Sequence, residues 1–125
     1  MKTKPDALAA YYRDKYPLTF AVGDDSHRLK KRYQEAWDIA KEAALILKRD
    51  FGAEKVVLFG SLTDFSRFTQ WSDVDLAVWG LPDNRFFAAV AAISSLASAF
   101  SIDLIDVKDC KEFIRIAVET EGIEI

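Results

Sequence analysis

Apolar residues recur at steps of three and four along the first clearly patterned stretch of the chain. This stretch follows Asp24-Asp25-Ser26, whose acids and hydroxyl suit the positive end of a helix dipole. The pattern predicts an amphipathic helix of about 26 residues that ends at Gly52, just after Phe51. Its predicted buried stripe consists of Leu29, Tyr33, Trp37, Ala40, Ala44 and Leu47.

Three short apolar runs, rich in β-branched residues, predict β-strands. They are Lys55–Phe59, Asp73–Trp79 and Ile102–Val107. Gly80-Leu81-Pro82 is expected to end the second strand, because glycine and proline interrupt a strand ladder.

Two further amphipathic helices are predicted. The first is expected to be capped by Asp83 or Asn84, and the second runs from Cys110 to Thr120 and stops at Gly122. The predicted buried face of the first consists of Phe86, Phe87, Val90, Ile93, Leu96 and Ala97. That of the second consists of Phe113, Ile114, Ala117 and Val118, before a short extended tail at 123–125.

The length of 125 residues predicts one domain with a sizeable core. We place that domain at residues 23–125. Residues 1–22, in which Pro5 and Pro17 bracket several tyrosines at roughly helical spacing, are predicted to form a short docked helix. An arm that reaches a partner is the alternative for this segment.

Composition excludes several classes of partner. A net charge of −3 without a long basic run does not favour direct nucleic-acid binding. No apolar run approaches the roughly 20 residues that span a bilayer, so no membrane association is expected. A single cysteine, Cys110, and the absence of an evident signal peptide indicate a cytoplasmic protein.

Candidate chemistry is concentrated where the first two strands end and begin. Asp73 and Asp75 alternate with Val74, so both carboxylates point to one face of a strand. Two neighbouring carboxylates repel each other unless a cation or a proton compensates them, and Mg²⁺ is a good match for carboxylate oxygens. Gly60-Ser61, directly after the first strand, allows a close turn whose amides and hydroxyl suit phosphate oxygens.

A third acid lies on the third strand, which reads IDLIDV. Parity separates its two carboxylates, with Asp103 on the face of Ile105 and Asp106 on the opposite face. We predict that Asp103 joins Asp73 and Asp75. Asp106, near the strand end, is expected to stay solvated or to cap the next helix.

Gly60-Ser61, an interval of eleven residues, Asp73-Val74-Asp75 and then Asp103 after a helix resemble the nucleotidyltransferase fold shared with DNA polymerase beta. The small size and the ending EGIEI resemble the minimal nucleotidyltransferase (MNT) proteins. Many of these are antitoxins encoded with a HEPN-domain ribonuclease toxin. The resemblance covers the chain from about Asp24 to Ile125, and residues 1–22 lie outside it.

The resemblance implies the α/β (α+β) class, with a small mixed β-sheet flanked by helices. It also implies Mg²⁺ as cofactor and ATP as substrate. Gly60 and Ser61 would hold the terminal phosphates. Asp73 and Asp75 would bind the metal, and Asp103 would bind one metal and help to activate the attacking hydroxyl. The family further implies transfer of AMP from ATP to a tyrosine of a HEPN-type toxin, which disables the toxin covalently.

The segment after Gly60-Ser61 departs from the family pattern. Leu62, Thr63 and Asp64 stand where members often carry a small residue, an arginine and a glycine. Asp64 would repel a triphosphate if it faced inward, so it is expected to cap a turn or to pair with Arg67 at the surface. Arg67 itself is predicted either to contact a phosphate or to lie exposed. Phe65, Phe68 and Trp71 are expected to anchor this loop.

Three other functions stay open at this stage. One is a non-catalytic antitoxin that neutralises its partner by occlusion. Another is a nucleotidyltransferase for a small hydroxylated molecule such as an aminoglycoside, although 125 residues leave little room for a domain that holds such an acceptor. The third is a metal-dependent hydrolase, for which no residue gives specific support.

Overall fold

The computed structural model describes residues 24–125, so the predictions for residues 1–22 lie outside the described part. The helices of this part are α1 (Asp24–Phe51), α2 (Phe86–Ser94) and α3 (Glu112–Glu121). The strands are β1 (Lys55–Phe59), β2 (Val74–Trp79), β3 (Ile102–Asp106) and β4 (Ile123–Glu124). Short 3₁₀ turns connect them at Gly60–Thr63, Phe65–Arg67, Asp83–Arg85 and Val107–Asp109.

The four strands form one mixed sheet in the order β3-β2-β1-β4. β1 pairs antiparallel with both β2 and β4, whereas β2 and β3 run parallel. A parallel pair needs a crossover connection, and α2 supplies it. The predicted class, a small mixed sheet flanked by helices, is therefore confirmed.

Helices cover both faces of the sheet. On one face, α1 packs through alanines and Leu47 against the even-numbered residues of β1 and β2, such as Leu58 and Leu76. The small alanine side chains allow a helix to lie close to a sheet. On the other face, Val118 of α3 packs with Val57 and Ala77 in a smaller cluster. The predicted stripe of α1 is confirmed: Ala40, Ala44 and Leu47 are buried, and Leu29, Tyr33 and Trp37 pack against them.

The prediction for α2 was wrong in two respects. Neither Asp83 nor Asn84 caps the helix, because a 3₁₀ turn at Asp83–Arg85 precedes it and no side chain bonds its first amides. Phe87 is not buried but 83% exposed, and Ala89 occupies the core instead. Phe86, Ile93 and Leu96 face the core as predicted, whereas Phe87 lies about 100° further around the helix than Phe86 and so falls outside the buried stripe.

The C-terminal elements are close to their predicted positions. α3 begins at Glu112 rather than Cys110, and Phe113 is 66% exposed rather than buried. Gly122 follows the helix, and a Cβ there would collide with the Val118 carbonyl oxygen and the Val57 side chain. The extended tail then pairs with β1 as the edge strand β4. Within residues 24–125, no helix has the length and apolar character needed to span a bilayer.

Candidate active site

Gly60 forms a tight turn at the end of β1. Its φ of +80° lies in the left-handed region, which glycine adopts without the penalty that a Cβ imposes. A Cβ built at Gly60 would collide with Oδ2 of Asp75. The missing side chain therefore allows the backbone of the turn to lie directly against this carboxylate.

The three acids predicted for the site lie at the same end of the sheet. Asp75 of β2 and Asp103 of β3 are register partners, so their side chains point to the same face, which is the face of α3. Asp73 precedes β2 by one residue and lies two residues before Asp75. Asp75 is buried at 9% exposure, Asp73 is partly exposed and Asp103 is exposed. The solvent exposure of the acids therefore increases from Asp75 through Asp73 to Asp103.

The second acid of β3 lies on the opposite face, as parity predicts. Ile102 and Leu104, which share its face, pack into the α1 core, whereas Ile105 packs in the α3 cluster. The Asp106 carboxylate caps the following turn by accepting a hydrogen bond from the Lys108 amide at 3.2 Å. Of the two predictions for Asp106, capping is therefore correct, although the element capped is the 3₁₀ turn Val107–Asp109 and not α3.

The hydroxyl of Ser61 faces the protein interior. Ser61 is fully buried, and its Oγ donates to Oγ of Ser72 at 2.9 Å. Ser72 Oγ also accepts from the Thr69 amide at 2.8 Å. This bond between the two hydroxyls joins the start and the end of the connecting loop.

A buried ion pair between Arg67 and Glu121 hydrogen-bonds to the backbone of the Gly60 turn. Nη1 of Arg67 lies 3.0 Å from Oε1 of Glu121, and the two side chains are only 10% and 8% exposed. The Gly60 amide donates to Oε2 of Glu121 at 3.2 Å, and Nη2 of Arg67 donates to the Gly60 carbonyl oxygen at 3.1 Å. Arg67 also donates to Oγ1 of Thr63 at 2.9 Å. Both polar groups of the Gly60 backbone are thus engaged by one charge pair.

Sequence analysis missed the role of Glu121. It predicted that Arg67 either contacts a phosphate or lies exposed, and the second of these predictions is wrong. Glu121 lies in the last turn of α3, where the helix dipole disfavours a carboxylate. An acid at that position indicates a specific partner for its carboxylate, and this unfavourable position is the sequence feature that could have identified Glu121. The partner could not be identified from the sequence because Arg67 is far away along the chain and gives no local pattern.

The residues that depart from the family pattern have structural roles. Leu62 is fully buried in the α1 core, and its carbonyl oxygen accepts the indole N–H of Trp37 at 3.1 Å. Asp64 caps the second 3₁₀ turn by accepting from the Ser66 amide at 3.0 Å, so the capping prediction is confirmed. Among the predicted loop anchors, Phe68 is buried, whereas Phe65 and Trp71 are 36% and 44% exposed.

A different group of acids lies at the other end of β3. Among residues 24–125, the three carboxylates whose oxygens lie within 4.8 Å of one another are Asp83, Asp106 and Asp109. Nζ of Lys108 already bonds Asp83, and it bonds Oδ2 of Asp106 at 2.8 Å. These hydrogen bonds, first to Asp106 and then to Asp83, raise the pKa of the Lys108 ammonium above its usual value. A built-in cation therefore neutralises part of this group.

The donor set around Asp75 suits a hard divalent cation. It offers oxygen ligands only, as Mg²⁺ prefers, from the candidate acids Asp73, Asp75 and Asp103. The glycine turn leaves open the space beside Asp75 that a Cβ would fill. The residue types present thus fit the metal that the fold implies, although the oxygens of the three acids do not all lie within 4.8 Å of one another.

Comparisons with solved structures identify the fold. No protein-family model and no curated protein sequence matches the chain. A toxin–antitoxin crystal structure with AMP-PNP has a TM-score of 0.54 and 24% identity, covering 67% of this chain and 70% of that one. A mutant MntA–HpeT toxin–antitoxin complex has a TM-score of 0.52 and 25% identity over 68% of each chain. Tri-AMPylated Shewanella oneidensis HEPN toxin in complex with MNT antitoxin has a TM-score of 0.53 and 19% identity, covering 71% of this chain and 70% of that one.

The chain therefore has the nucleotidyltransferase fold of MNT proteins, as the residue pattern predicts. The solved structures compared above are complexes that contain MNT antitoxins of HEPN–MNT toxin–antitoxin pairs.

Proposed function

We propose that this chain is a Mg²⁺-dependent nucleotidyltransferase that moves AMP from ATP to a tyrosine of a HEPN-type toxin and thereby acts as its antitoxin. The observation that carries the proposal is the pairing of Asp75 with Asp103, beside a glycine turn that lies against the Asp75 carboxylate. Further support comes from the shared fold, because one structure with this fold holds AMP-PNP and another contains AMPylated HEPN toxin.

The exposure gradient of the acids suggests how they divide the work. Asp75, the most buried, and Asp73 would hold Mg²⁺ together with the triphosphate. When bound, Mg²⁺ would neutralise charge that develops on the phosphoryl oxygens and on the leaving pyrophosphate. Asp103 is open to solvent, where it can meet an incoming hydroxyl and accept its proton. The hydroxyl oxygen would then bond to the α-phosphorus as pyrophosphate leaves.

The remaining residues of the site would supply position rather than covalent chemistry. The Arg67–Glu121 pair fixes the Gly60 turn, which in turn sets the space above Asp75. Positioning and charge stabilisation are the main requirements of phosphoryl-group chemistry. No cysteine or histidine is needed, in keeping with one of each in the chain.

Labelled ATP tests this proposal directly. The chain is incubated with ATP labelled on the adenine, Mg²⁺ and the HEPN-type protein encoded beside it. We expect label on a tyrosine of that protein, and we expect Asp75→Asn and Asp103→Asn to reduce labelling by at least about 100-fold. Asp38→Asn is the matched control, because it removes one carboxylate from the exposed surface of α1, on the other side of the sheet from the three acids, and should leave transfer within about threefold of wild type.

Two results would contradict the proposal. One is an unlabelled partner with the wild-type chain. The other is equal transfer by wild type and by both site variants, provided that circular dichroism shows the variants to be folded.

Neutralisation by occlusion is the second candidate. Two groups that were expected to bind phosphate already have hydrogen-bond acceptors within the protein, and this favours occlusion. The Gly60 amide donates to Glu121, and the Ser61 hydroxyl donates to Ser72. A folded Asp75→Asn variant separates the two functions. It still protects cells from the toxin if occlusion suffices, and it fails to protect them if transfer is required.

A further inference from the structure

We propose that the acceptor protein docks on this chain by adding an extended, basic segment along the outer edge of β3 in the described sheet, between Phe87 and Phe113. This inference rests on the proposed function, because the docked segment would bring the acceptor hydroxyl to the acids. It goes further by assigning the surface, the mode of binding and the chemistry of the partner segment.

Within residues 24–125, the outer side of β3 carries backbone groups that no other strand pairs. β3 is the last strand of the described sheet and pairs with β2 on its other side. The Val74 amide donates to the Ser101 carbonyl oxygen at 3.0 Å, which fixes the alternation of the strand. Residues 101, 103 and 105 then direct their backbone groups toward β2, so those of Leu104 and Asp106 face away from the sheet. Such an edge is a template for an added strand.

Apolar side chains flank this edge on both sides. A groove of about 630 Å³ runs beside β3, and we call it the β3 groove. The residues that form its apolar wall are Phe86, Phe87, Leu104, Ile105, Phe113 and Ile114. Phe87 is 83% exposed and Phe113 is 66% exposed, although both belong to amphipathic helices that bury other apolar residues. Exposed aromatic residues around a groove are typical of protein–protein interfaces.

The groove adjoins the candidate active site. Ile105 in its wall lies two residues from Asp103 on the same face of β3, a separation of about 7 Å along a strand. A strand added to β3 would therefore pass the most exposed of the three acids. Side chains at alternate positions of that strand would enter the groove, and a neighbouring residue could present its hydroxyl.

The charge around the groove selects the partner. The groove is lined by three acids, Asp83, Asp106 and Asp109, and by one lysine, Lys111. Lys108 is already bonded to Asp83 and Asp106. An excess of acid at a binding rim favours an approaching segment that carries lysine or arginine and disfavours an acidic one. The occupant that suits this surface is thus a basic strand with apolar residues at alternate positions.

Substitution of the two exposed phenylalanines tests the surface. The Phe87→Ser/Phe113→Ser double variant should bind the HEPN-type partner at least about tenfold more weakly than wild type by calorimetry, because buried aromatic anchors dominate such interfaces. Leu45→Ser is the matched control, since Leu45 is also apolar and 53% exposed, on α1. It should bind within about twofold of wild type. Both variants should keep the wild-type affinity for AMP-PNP with Mg²⁺, as neither alters the acids.

Hydrogen exchange tests the mode of docking. In the free chain, the amides of Asp103 and Ile105 should already be protected by β2. On addition of the partner, the amides of Leu104 and Asp106 should become at least about tenfold slower to exchange, as a new ladder forms on that side. A helix docked in the groove would not slow the amides of Leu104 and Asp106 in this alternating pattern. That result would overturn the strand-addition mode.

Other outcomes separate this inference from the proposed function. If the wild-type chain labels its partner but the double variant binds that partner normally, the docking surface is wrong and the function stands. If the wild-type chain dimerises through the groove and the double variant is a monomer with normal partner affinity, a second copy occupies the groove and the inference fails. If the wild-type chain neither binds nor labels the partner, both are overturned.

Discussion

Gly60 shows how one residue sets the shape of the candidate site. The sequence identified the position, because a glycine directly after a β-branched run predicts a close turn. The sequence did not identify what the glycine approaches. Its missing side chain faces the Asp75 carboxylate, and this contact depends on the pairing of Phe59 with Asp75 across two strands.

Gly60→Ala and Gly52→Ala form a matched pair of variants that tests this role. Both glycines have φ near +80°, but a Cβ at Gly52 meets no atom within 4 Å. We expect Gly52→Ala to lower the free energy of unfolding by about 1–2 kcal/mol, because alanine is strained in the left-handed region. Gly60→Ala should cost roughly 1–3 kcal/mol more, from overpacking against Asp75, and it should also abolish AMP transfer. Urea denaturation and the labelling assay measure the two effects, and equal stability of the variants would contradict the geometry.

At the scale of elements, the structure links three parts of the chain that look independent in the sequence. α3, the loop after β1 and the start of β2 meet at Gly60, through Glu121, Arg67 and Asp75. Local patterns predicted each element but not their meeting, because pairing over long distances leaves no periodic signal. The error at Phe87 has a local cause instead, since Phe87 lies about 100° around α2 from Phe86 and so outside the buried stripe.

A double-mutant cycle tests the link between α3 and the Gly60 turn. Glu121→Gln and Arg67→Met each leave the other charge buried without its charged partner, so each should lower the free energy of unfolding by about 3–5 kcal/mol. The double variant should recover at least about 1 kcal/mol relative to the sum of the single effects. Urea titrations give these values. Single variants that lose less than about 1 kcal/mol would show that the pair does not hold the turn.

At the scale of the whole molecule, two groups of acids lie at opposite ends of β3. Residue pattern predicted the group at Asp73, Asp75 and Asp103, together with the strands that carry it and the face on which Asp103 lies. The group at Asp83, Asp106 and Asp109 was not predicted as a group, because it forms only where the turn before α2 meets the end of β3. The proposed function requires the divalent ion to bind at the first group. Lys108 already supplies a cation at the second.

Binding of Mn²⁺ in place of Mg²⁺, followed by nuclear magnetic resonance in the presence of AMP-PNP, is the most direct test of this central claim. Mn²⁺ accepts the same oxygen ligands and broadens the signals of nearby amides. We predict that substoichiometric Mn²⁺ broadens the amides of Gly60, Asp75 and Asp103 first, and that Asp75→Asn removes the effect. Broadening centred on Asp83, Asp106 and Asp109 with sharp signals at Gly60 and Asp75 would contradict the account.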